Sequence, residues 1–219
     1  MDFRWEIFIE SLPFLLSGSL VTIKVAIWAM IGSIIFGLVI ALTRISNFRI
    51  LNTMSFLYVQ LMRGTPLLVL LTVIYYGLPR IGLRLDPFVA GVLGLSMCDG
   101  AYMGEIFRSG IQSIHKGQIE AAKALGVPSR KIMQYIILPQ AMRVIIPPMT
   151  SESVIILKNA SLLSVIAISE LMQTGLNIIA WKANVFTPLV GVTVFYLLMT
   201  LPLIYLSDKL EKKMGAHNK

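Results

Sequence analysis

The chain has 219 residues, of which 56% are hydrophobic and only 14% charged, and its mean hydropathy is +0.79. Soluble domains are roughly 45–50% apolar and about 25% charged, so this composition excludes a disordered chain and does not suit a water-soluble globule. Two stretches, 25–43 and 183–207, contain no charged residue. Because a bilayer span needs about 20 apolar residues, we expect an integral membrane protein.

The motif content argues against several kinds of site on this chain. The single cysteine, Cys98, cannot form an internal disulfide, and no CxxC pair or HExxH motif suggests a metal. No GxxxxGK[ST] loop is present to bind ATP phosphates. The net charge of +8 is typical of basic cytoplasmic loops, since no basic stripe alternates with aromatic residues as in nucleic-acid binding.

Five apolar stretches are predicted to cross the membrane within a single transmembrane domain, residues 1–219. In chain order, the spans are about 14–43, 55–78, 87–107, 144–168 and 185–206. The N-terminus lacks the basic region and the small-residue cleavage site of a signal peptide, so we expect the first span to be retained.

The distribution of Lys and Arg predicts the orientation of these spans. With the N-terminus outside, 11 of the 19 basic residues fall in the inside segments and four in the outside segments. The positive-inside rule therefore favours an outer N-terminus and a cytoplasmic C-terminus. This orientation requires an odd number of spans, which agrees with five.

The longest inside connection, about 109–143, is predicted to fold as two short helices joined by a turn. Residues 118–125 are good helix formers, and Gly126 is expected at a left-handed C-cap. Ser129 is expected to N-cap a second helix over 130–138. We call this helix–turn–helix unit the elbow.

Two further features of the elbow concern its ends and its surface. Pro139 is expected to disrupt the second helix. Ala121, Ala122 and Ala124 leave the first helix nearly smooth, so another backbone can approach it closely. A plain amphipathic connector on the membrane surface is the alternative interpretation.

The spacing of the elbow residues resembles the EAA loop of bacterial ABC importer permeases. The matching positions are Glu120, Ala121, Ala122, Gly126, Ile136, Leu138 and Pro139. Four further stretches resemble the polar amino acid uptake permeases: 63–68, 100–108, 117–122 and 158–162. The similarity covers about 18–211, with departures at Ala160, where many relatives have Thr, and at 98–100.

The resemblance implies an all-α permease of the type I ABC importer class, in a bacterial inner membrane. It implies a second permease subunit, identical or similar, and an extracytoplasmic binding protein that delivers a polar amino acid. It also implies a separate cytoplasmic ATPase that carries ATP and Mg²⁺, so this chain is expected to hold no cofactor and to catalyse no reaction. The elbow would contact the ATPase and transmit its closure to the spans, through Gln118, Glu120, Ala121, Ala122, Leu125, Gly126, Ile136, Leu138 and Pro139.

Polar residues within the apolar spans are candidates for a substrate path, because charges in a membrane are costly and usually face a cavity. The candidates are Asp99, Tyr102, Glu152, Lys158, Asn159 and Ser161. Asp99 and Tyr102 share one helix face, as do Glu152 and Asn159. An amino acid needs acceptors for its ammonium and donors for its carboxylate, and these side chains supply both. Alternatively, Glu152 and Lys158 pair across helices or lie at the bilayer surface.

Two other groups are expected to gate the path or to support the fold. Glu105 and Arg108 lie three residues apart at the inner end of the third span, where an ion pair is expected. Arg63, Gly64 and Pro66 interrupt the second span, because proline kinks a helix and glycine permits close approach. This interruption is either a packing kink or the hinge of a gate.

Two other function classes remain as alternatives to an ABC importer subunit. An ion-coupled secondary amino acid transporter also uses buried carboxylates, but it usually has repeated halves, which the sequence does not show. An intramembrane enzyme needs a nucleophile with a base, or a metal. The two histidines of the chain do not provide such a constellation.

Overall fold

The structure, a computed structural model, describes residues 2–215, and these contain helices and turns but no strand. The α-helices of the described residues are α1 (Trp5–Ile45), α2 (Arg49–Gly64), α3 (Leu67–Thr72), α4 (Pro87–Gln112), α5 (Lys116–Ala124), α6 (Ser129–Ile132), α7 (Leu138–Asn159), α8 (Leu171–Lys182) and α9 (Phe186–Gly215). Short π and 3₁₀ segments connect some of them: Val73–Gly77, Leu78–Ile81, Met133–Ile137 and Ala160–Ile166. The prediction of an all-α protein is confirmed.

Helices α1 and α4 pack side by side and run in the same direction. Gly32 of α1 lies against Ser96, and Ile40 lies against Gly104 further along both helices. A Cβ atom on Gly104 would lie only 2.5 Å from Cγ2 of Ile40. Glycine is therefore required for this close approach, because any side chain there would push the helices apart.

The remaining long helices complete the bundle around this pair. The Arg4 backbone N–H donates to Oγ1 of Thr187 at 3.0 Å, so the start of α9 lies beside the start of α1. The hydroxyls of Ser151 and Ser207 are 2.8 Å apart, so the last third of α9 lies beside the middle of α7. The two ends of the described chain therefore lie at opposite ends of the bundle, which we call the N-terminal end and the elbow end.

Within residues 2–215, three helical stretches are long and apolar enough to cross a membrane: Trp5–Ile45, Ser129–Ile166 and Phe186–Met214. A fourth is formed by Arg49–Gly64 with Leu67–Ile81, if these two halves, bent by 102°, count as one span. Helix α4 is not among them. The number of five spans therefore stays a prediction.

The elbow forms a turn at the predicted residue. Gly126 has a φ of +75°, and its N–H donates to the Lys123 carbonyl at 2.9 Å, so the predicted left-handed C-cap is confirmed. The prediction for Ser129 is wrong. Pro128, in extended conformation, occupies the N-cap position, and Ser129 is the first helical residue and makes no capping hydrogen bond.

The second helix of the elbow does not end at Pro139. Helix α6 continues through the π-helical stretch Met133–Ile137 into α7, and Pro139 lies in the first turn of α7. Proline is tolerated there because a π turn shifts the backbone hydrogen-bond pattern, and an N–H is dispensable in a first turn. The second helix of the elbow and α7 therefore form one continuous helical body.

The prediction that Ala122 lies on an open, smooth face is also wrong. Ala122 is buried in a cluster with Ile114, Ile132 and Ile137 of the same chain. Its small side chain lets α5 fold back onto the start of the second helix. Leu125, three residues further along the chain, is 83% exposed and presents an apolar side chain to the surface instead.

Helix α8 lies where the sequence predicts only an outer connection. It has 12 residues, which is too short to cross a bilayer of about 30 Å. Its apolar face packs through Leu171 and Ile178 against Leu15 of α1. Tertiary packing of this face, rather than a long apolar run, accounts for the helix.

Candidate functional site

The site begins at the break between α2 and α3. Helix α2 ends at Gly64, and Thr65 and Pro66 are extended before α3 begins. Pro66 cannot donate the hydrogen bond that would continue the helix, so the predicted interruption of the second span is confirmed. The expected close approach at Gly64 is not found, because no described atom lies within 4 Å of where its Cβ would be.

The break faces α4 and α7 across a cavity of about 480 Å³, which we call the central cavity. Its volume lies within the range of roughly 300–1,000 Å³ that small-molecule sites occupy. The lining residues are Arg63, Gly64, Thr65, Pro66, Leu67, Cys98, Asp99, Tyr102, Glu152, Ile155 and Asn159. Four of the six predicted path residues, from two different helices, are thus brought together.

The wall of the central cavity is acidic at its centre. Asp99 is 1% exposed, and its Oδ2 atom has no hydrogen-bond partner among the described residues. The Asn159 amide faces the same carboxylate, and Glu152 is also buried. A buried carboxylate oxygen without a donor is costly, so this wall is suited to a ligand that carries a cationic donor.

Lys158 and Ser161 do not belong to this wall. Lys158 is exposed and lines none of the described cavities, because it is rotated by about 100° from its neighbour Asn159. Among the described residues neither Lys158 nor Glu152 forms an ion pair, so the alternative that these charges pair across helices is not found. The Ser161 hydroxyl donates to the Lys158 carbonyl at 2.8 Å instead of facing the cavity.

Arg63 links the central cavity to a second space. Its guanidinium lies 5.2 Å from the centre of the Tyr102 ring, within cation–π range. Both residues, with Glu152, also line a cavity of about 580 Å³ that we call the end cavity. The end cavity extends towards the elbow end, where Glu211 of α9 forms part of its wall.

The predicted ion pair of α4 borders the end cavity and is confirmed. Arg108 Nη2 lies 2.7 Å from Glu105 Oε2, and Arg44 of α1 approaches the same carboxylate at 3.4 Å. The contact between Arg44 and Glu105 therefore connects α1 to α4. Sequence reasoning missed Arg44 and Glu211, because their roles depend on contacts between helices distant in the chain.

The predicted elbow residues are mostly accessible. Exposed members are Gln118, Glu120, Ala121, Leu125, Gly126, Leu138 and Pro139, whereas Ile136 is partly buried and Ala122 buried. The Gln140 side chain donates to the Gln118 amide oxygen at 2.8 Å, which links α5 to α7. The elbow is thus held to the helix that lines the central cavity.

A bundle of this arrangement, broken beside a polar cavity, is characteristic of transport permeases with the type I ABC importer fold. The chain superposes with a TM-score of 0.91 on a chain of a solved structure described as an amino acid ABC transporter with histidines. The two sequences are 33% identical, and the match covers 97% of this chain and 100% of that one. Residues 7–216 match the family described as binding-protein-dependent transport system inner membrane component. The chain belongs to this family, whose members are multi-pass inner-membrane proteins.

Two curated relatives match along nearly the full chain. The arginine transport system permease protein ArtQ of Bacillus subtilis (strain 168) is 35% identical over 219 residues, covering 100% of both chains. The glutamine transport system permease protein GlnP of Escherichia coli (strain K12) is 35% identical over 216 residues, covering 98% of this chain and 99% of the relative.

Proposed function

We propose that the chain is the permease subunit of an ATP-driven importer of polar amino acids, and that the central cavity is part of its substrate path. The observation that carries the proposal is the buried Asp99 carboxylate, which lines the central cavity together with Asn159 and Glu152. Its Oδ2 atom accepts no hydrogen bond from the described residues. The names of the relatives, which refer to arginine and glutamine transport, support the same substrate class.

In this proposal, the two ends of an amino acid bind to opposite parts of the cavity wall. The ammonium group donates to Asp99 and Glu152, which are both buried. The carboxylate accepts from the Arg63 guanidinium and the Asn159 amide, which line the same cavity. Charge-assisted hydrogen bonds of this kind are stronger than neutral ones, so both ends of the substrate contribute to recognition.

Energy reaches the cavity through the elbow. A separate cytoplasmic ATPase binds ATP and Mg²⁺ and docks on the exposed elbow surface that includes Leu125. Since α6 and α7 form one helical body, motion of the elbow is carried to Glu152 and Asn159. Rigid-body motion of this helix relative to α4 then alternates access to the substrate path.

The proposed complex also contains a second permease subunit, identical or similar, and an extracytoplasmic binding protein. ATP hydrolysis takes place on the ATPase, and this chain catalyses no reaction. An ion-coupled secondary transporter is less well supported, because the solved relative is described as part of an ABC transporter.

Co-purification and reconstitution test the proposal directly. The chain is expressed in its native host, purified from the membranes in mild detergent, and reconstituted with radiolabelled arginine or glutamine. We expect an ATPase to co-purify, and uptake to require ATP and the binding protein. Uptake that follows an ion gradient and needs no ATP would instead establish the secondary transporter.

The predicted orientation can be tested by cysteine labelling. Glu6 and Lys212 are exposed at opposite ends of the bundle, and the variants Glu6→Cys and Lys212→Cys are made in a Cys98→Ala background. We expect a membrane-impermeant maleimide to label Glu6→Cys in intact spheroplasts and Lys212→Cys only after lysis, because most cations lie at the elbow end. The reverse pattern would invert the proposed orientation.

A further inference from the structure

Glu170 is a fully buried carboxylate that lies outside both cavities, at the start of α8. Its Oε1 atom accepts from the Gln173 N–H at 2.7 Å, and Oε2 accepts from the Met172 N–H at 2.8 Å and from the Tyr196 hydroxyl at 3.0 Å. Among the described residues it forms no ion pair. Three donors from two helices therefore take the place of a cation.

The neighbouring backbone connects the same point to a third helix. The Leu171 N–H donates to Oγ1 of Thr22 at 3.1 Å, and Thr22 is fully buried in α1. Tyr196 belongs to α9. The start of α8 is thus fastened to α1 and α9 by one hydrogen bond each, in addition to the cap within α8.

Residues 160–168, just before Glu170, comprise the 3₁₀ segment Ala160–Ile166 and the two residues that follow it, and we call them the gate segment. Leu163 and Ile168 of this segment pack against Gly91 of α4, where a Cβ would lie 3.0 Å from each side chain. Ala167 has a φ of +59°, an uncommon conformation for alanine. The Glu170 N–H donates to the Ile168 carbonyl at 2.8 Å, so the position of Glu170 determines where the gate segment ends.

The gate segment lies between the central cavity and the N-terminal end of the bundle. Asn159, the residue before it, lines the central cavity, and Gly91 lies nearer the start of α4 than Asp99. The end cavity extends along α4 in the opposite direction, from Tyr102 past Glu105. Neither cavity is lined by a residue of the gate segment. The two cavities therefore lead from Asp99 towards the elbow end, and the gate segment lies on the opposite side of the central cavity.

We infer that Glu170 is a positioning residue for transport, which anchors the gate segment over the outer side of the substrate path. This inference rests on the proposed function, since alternating access requires the outer side to open. Opening moves the gate segment away from Gly91, and the Tyr196–Glu170 hydrogen bond is released while the cap of α8 is kept. A single interhelical hydrogen bond suits this role, because its net contribution is small enough to be reversed in each cycle.

The anchor is tested by removing the hydroxyl through which α9 holds Glu170; the same hydroxyl also faces Thr22 of α1 and Ser161 of the gate segment. Tyr196→Phe deletes the hydroxyl but leaves the carboxylate to cap α8. In a Leu163→Cys, Cys98→Ala complex without ATP, we expect Tyr196→Phe to raise the labelling rate by a membrane-impermeant maleimide about fivefold, the factor expected for the loss of one hydrogen bond. Tyr205→Phe is the matched control, since Tyr205 lies on the same helix and is 69% exposed.

Two further variants separate anchoring from a merely structural role. Thr22→Val removes the acceptor on α1 and should raise labelling in the same way. Glu170→Gln keeps one acceptor and can donate to the Tyr196 hydroxyl, so it should label more slowly than Glu170→Ala. For Tyr196→Phe, we expect unchanged binding-protein association and an increased ratio of ATP hydrolysed to arginine or glutamine transported.

The outcomes distinguish this inference from the proposed function. If the parent complex transports amino acids but Tyr196→Phe and Thr22→Val label at the rate of Tyr205→Phe, the anchor is excluded and the proposed function stands. If the parent shows no ATP-dependent uptake, the proposed function fails, and with it the transport role inferred for Glu170. Faster labelling of both variants, with coupling weakened, supports the anchor.

Discussion

Asp99→Asn is expected to lower amino acid uptake without lowering the stability of the protein. The substitution removes the charge that we assign to the substrate ammonium group, and a hydrogen bond to a charged group contributes about 1.5–3 kcal/mol, so uptake at subsaturating substrate should fall roughly 10–100-fold. The Asp99 carboxylate is buried with Oδ2 unpartnered. Neutralising it also removes a desolvation cost, so the Tm should stay the same or rise.

The measurement pairs uptake in proteoliposomes with thermal unfolding of the purified complex. Asp208→Asn is the matched control, because Asp208 is an exposed aspartate on α9 that lines neither cavity. It should change neither quantity. Normal uptake by Asp99→Asn would remove this residue from the path, and a loss of both uptake and stability would assign it a structural role.

Gly126→Val is expected to uncouple the chain from the proposed ATPase while leaving membrane insertion intact. Gly126 has a φ of +75°, and a left-handed conformation costs an L-residue roughly 1–2 kcal/mol, with β-branched residues among the least tolerant. The direction of the second elbow helix should change as a result. We expect ATPase retention during purification to fall by about tenfold, which corresponds to about 1.4 kcal/mol.

Two other variants show whether the effect comes from strain or from position. Gly82 has a φ of +88° with open space around it, but it precedes α4 at the opposite end of the bundle. Gly82→Val should therefore introduce similar strain and leave ATPase retention unchanged. Gly126→Asn should retain most of the coupling, because asparagine tolerates the left-handed region. Wild-type retention by Gly126→Val would contradict a coupling role for the elbow.

Ala122 shows why the elbow surface is harder to predict than its turn. The glycine turn depends on local backbone preference, which a few neighbouring residues are enough to predict. Whether Ala122 faces a partner or its own chain depends on how α5 folds back onto Ile132, and here it is buried. Leu125, and not Ala122, is therefore the residue to change when the partner surface is probed.

The sequence by itself determined the membrane class, the all-α fold, the break at Pro66, the Gly126 turn and the Glu105–Arg108 pair. Each of these follows from composition or from residues a few positions apart, where helix geometry and backbone sterics act directly. Asp99, Tyr102, Glu152 and Asn159 were identifiable as costly polar residues in apolar helices.

Only the tertiary structure decided which of these polar residues meet. In the structure, Asp99 and Asn159 lie together in the central cavity and Lys158 lies outside it, whereas Glu211 lines the adjoining end cavity. The tertiary structure also buries Glu170 against Tyr196, a residue on another helix. The reason is physical: contacts between distant helices depend on helix rotation and packing, and a shift of one residue rotates a side chain by about 100°.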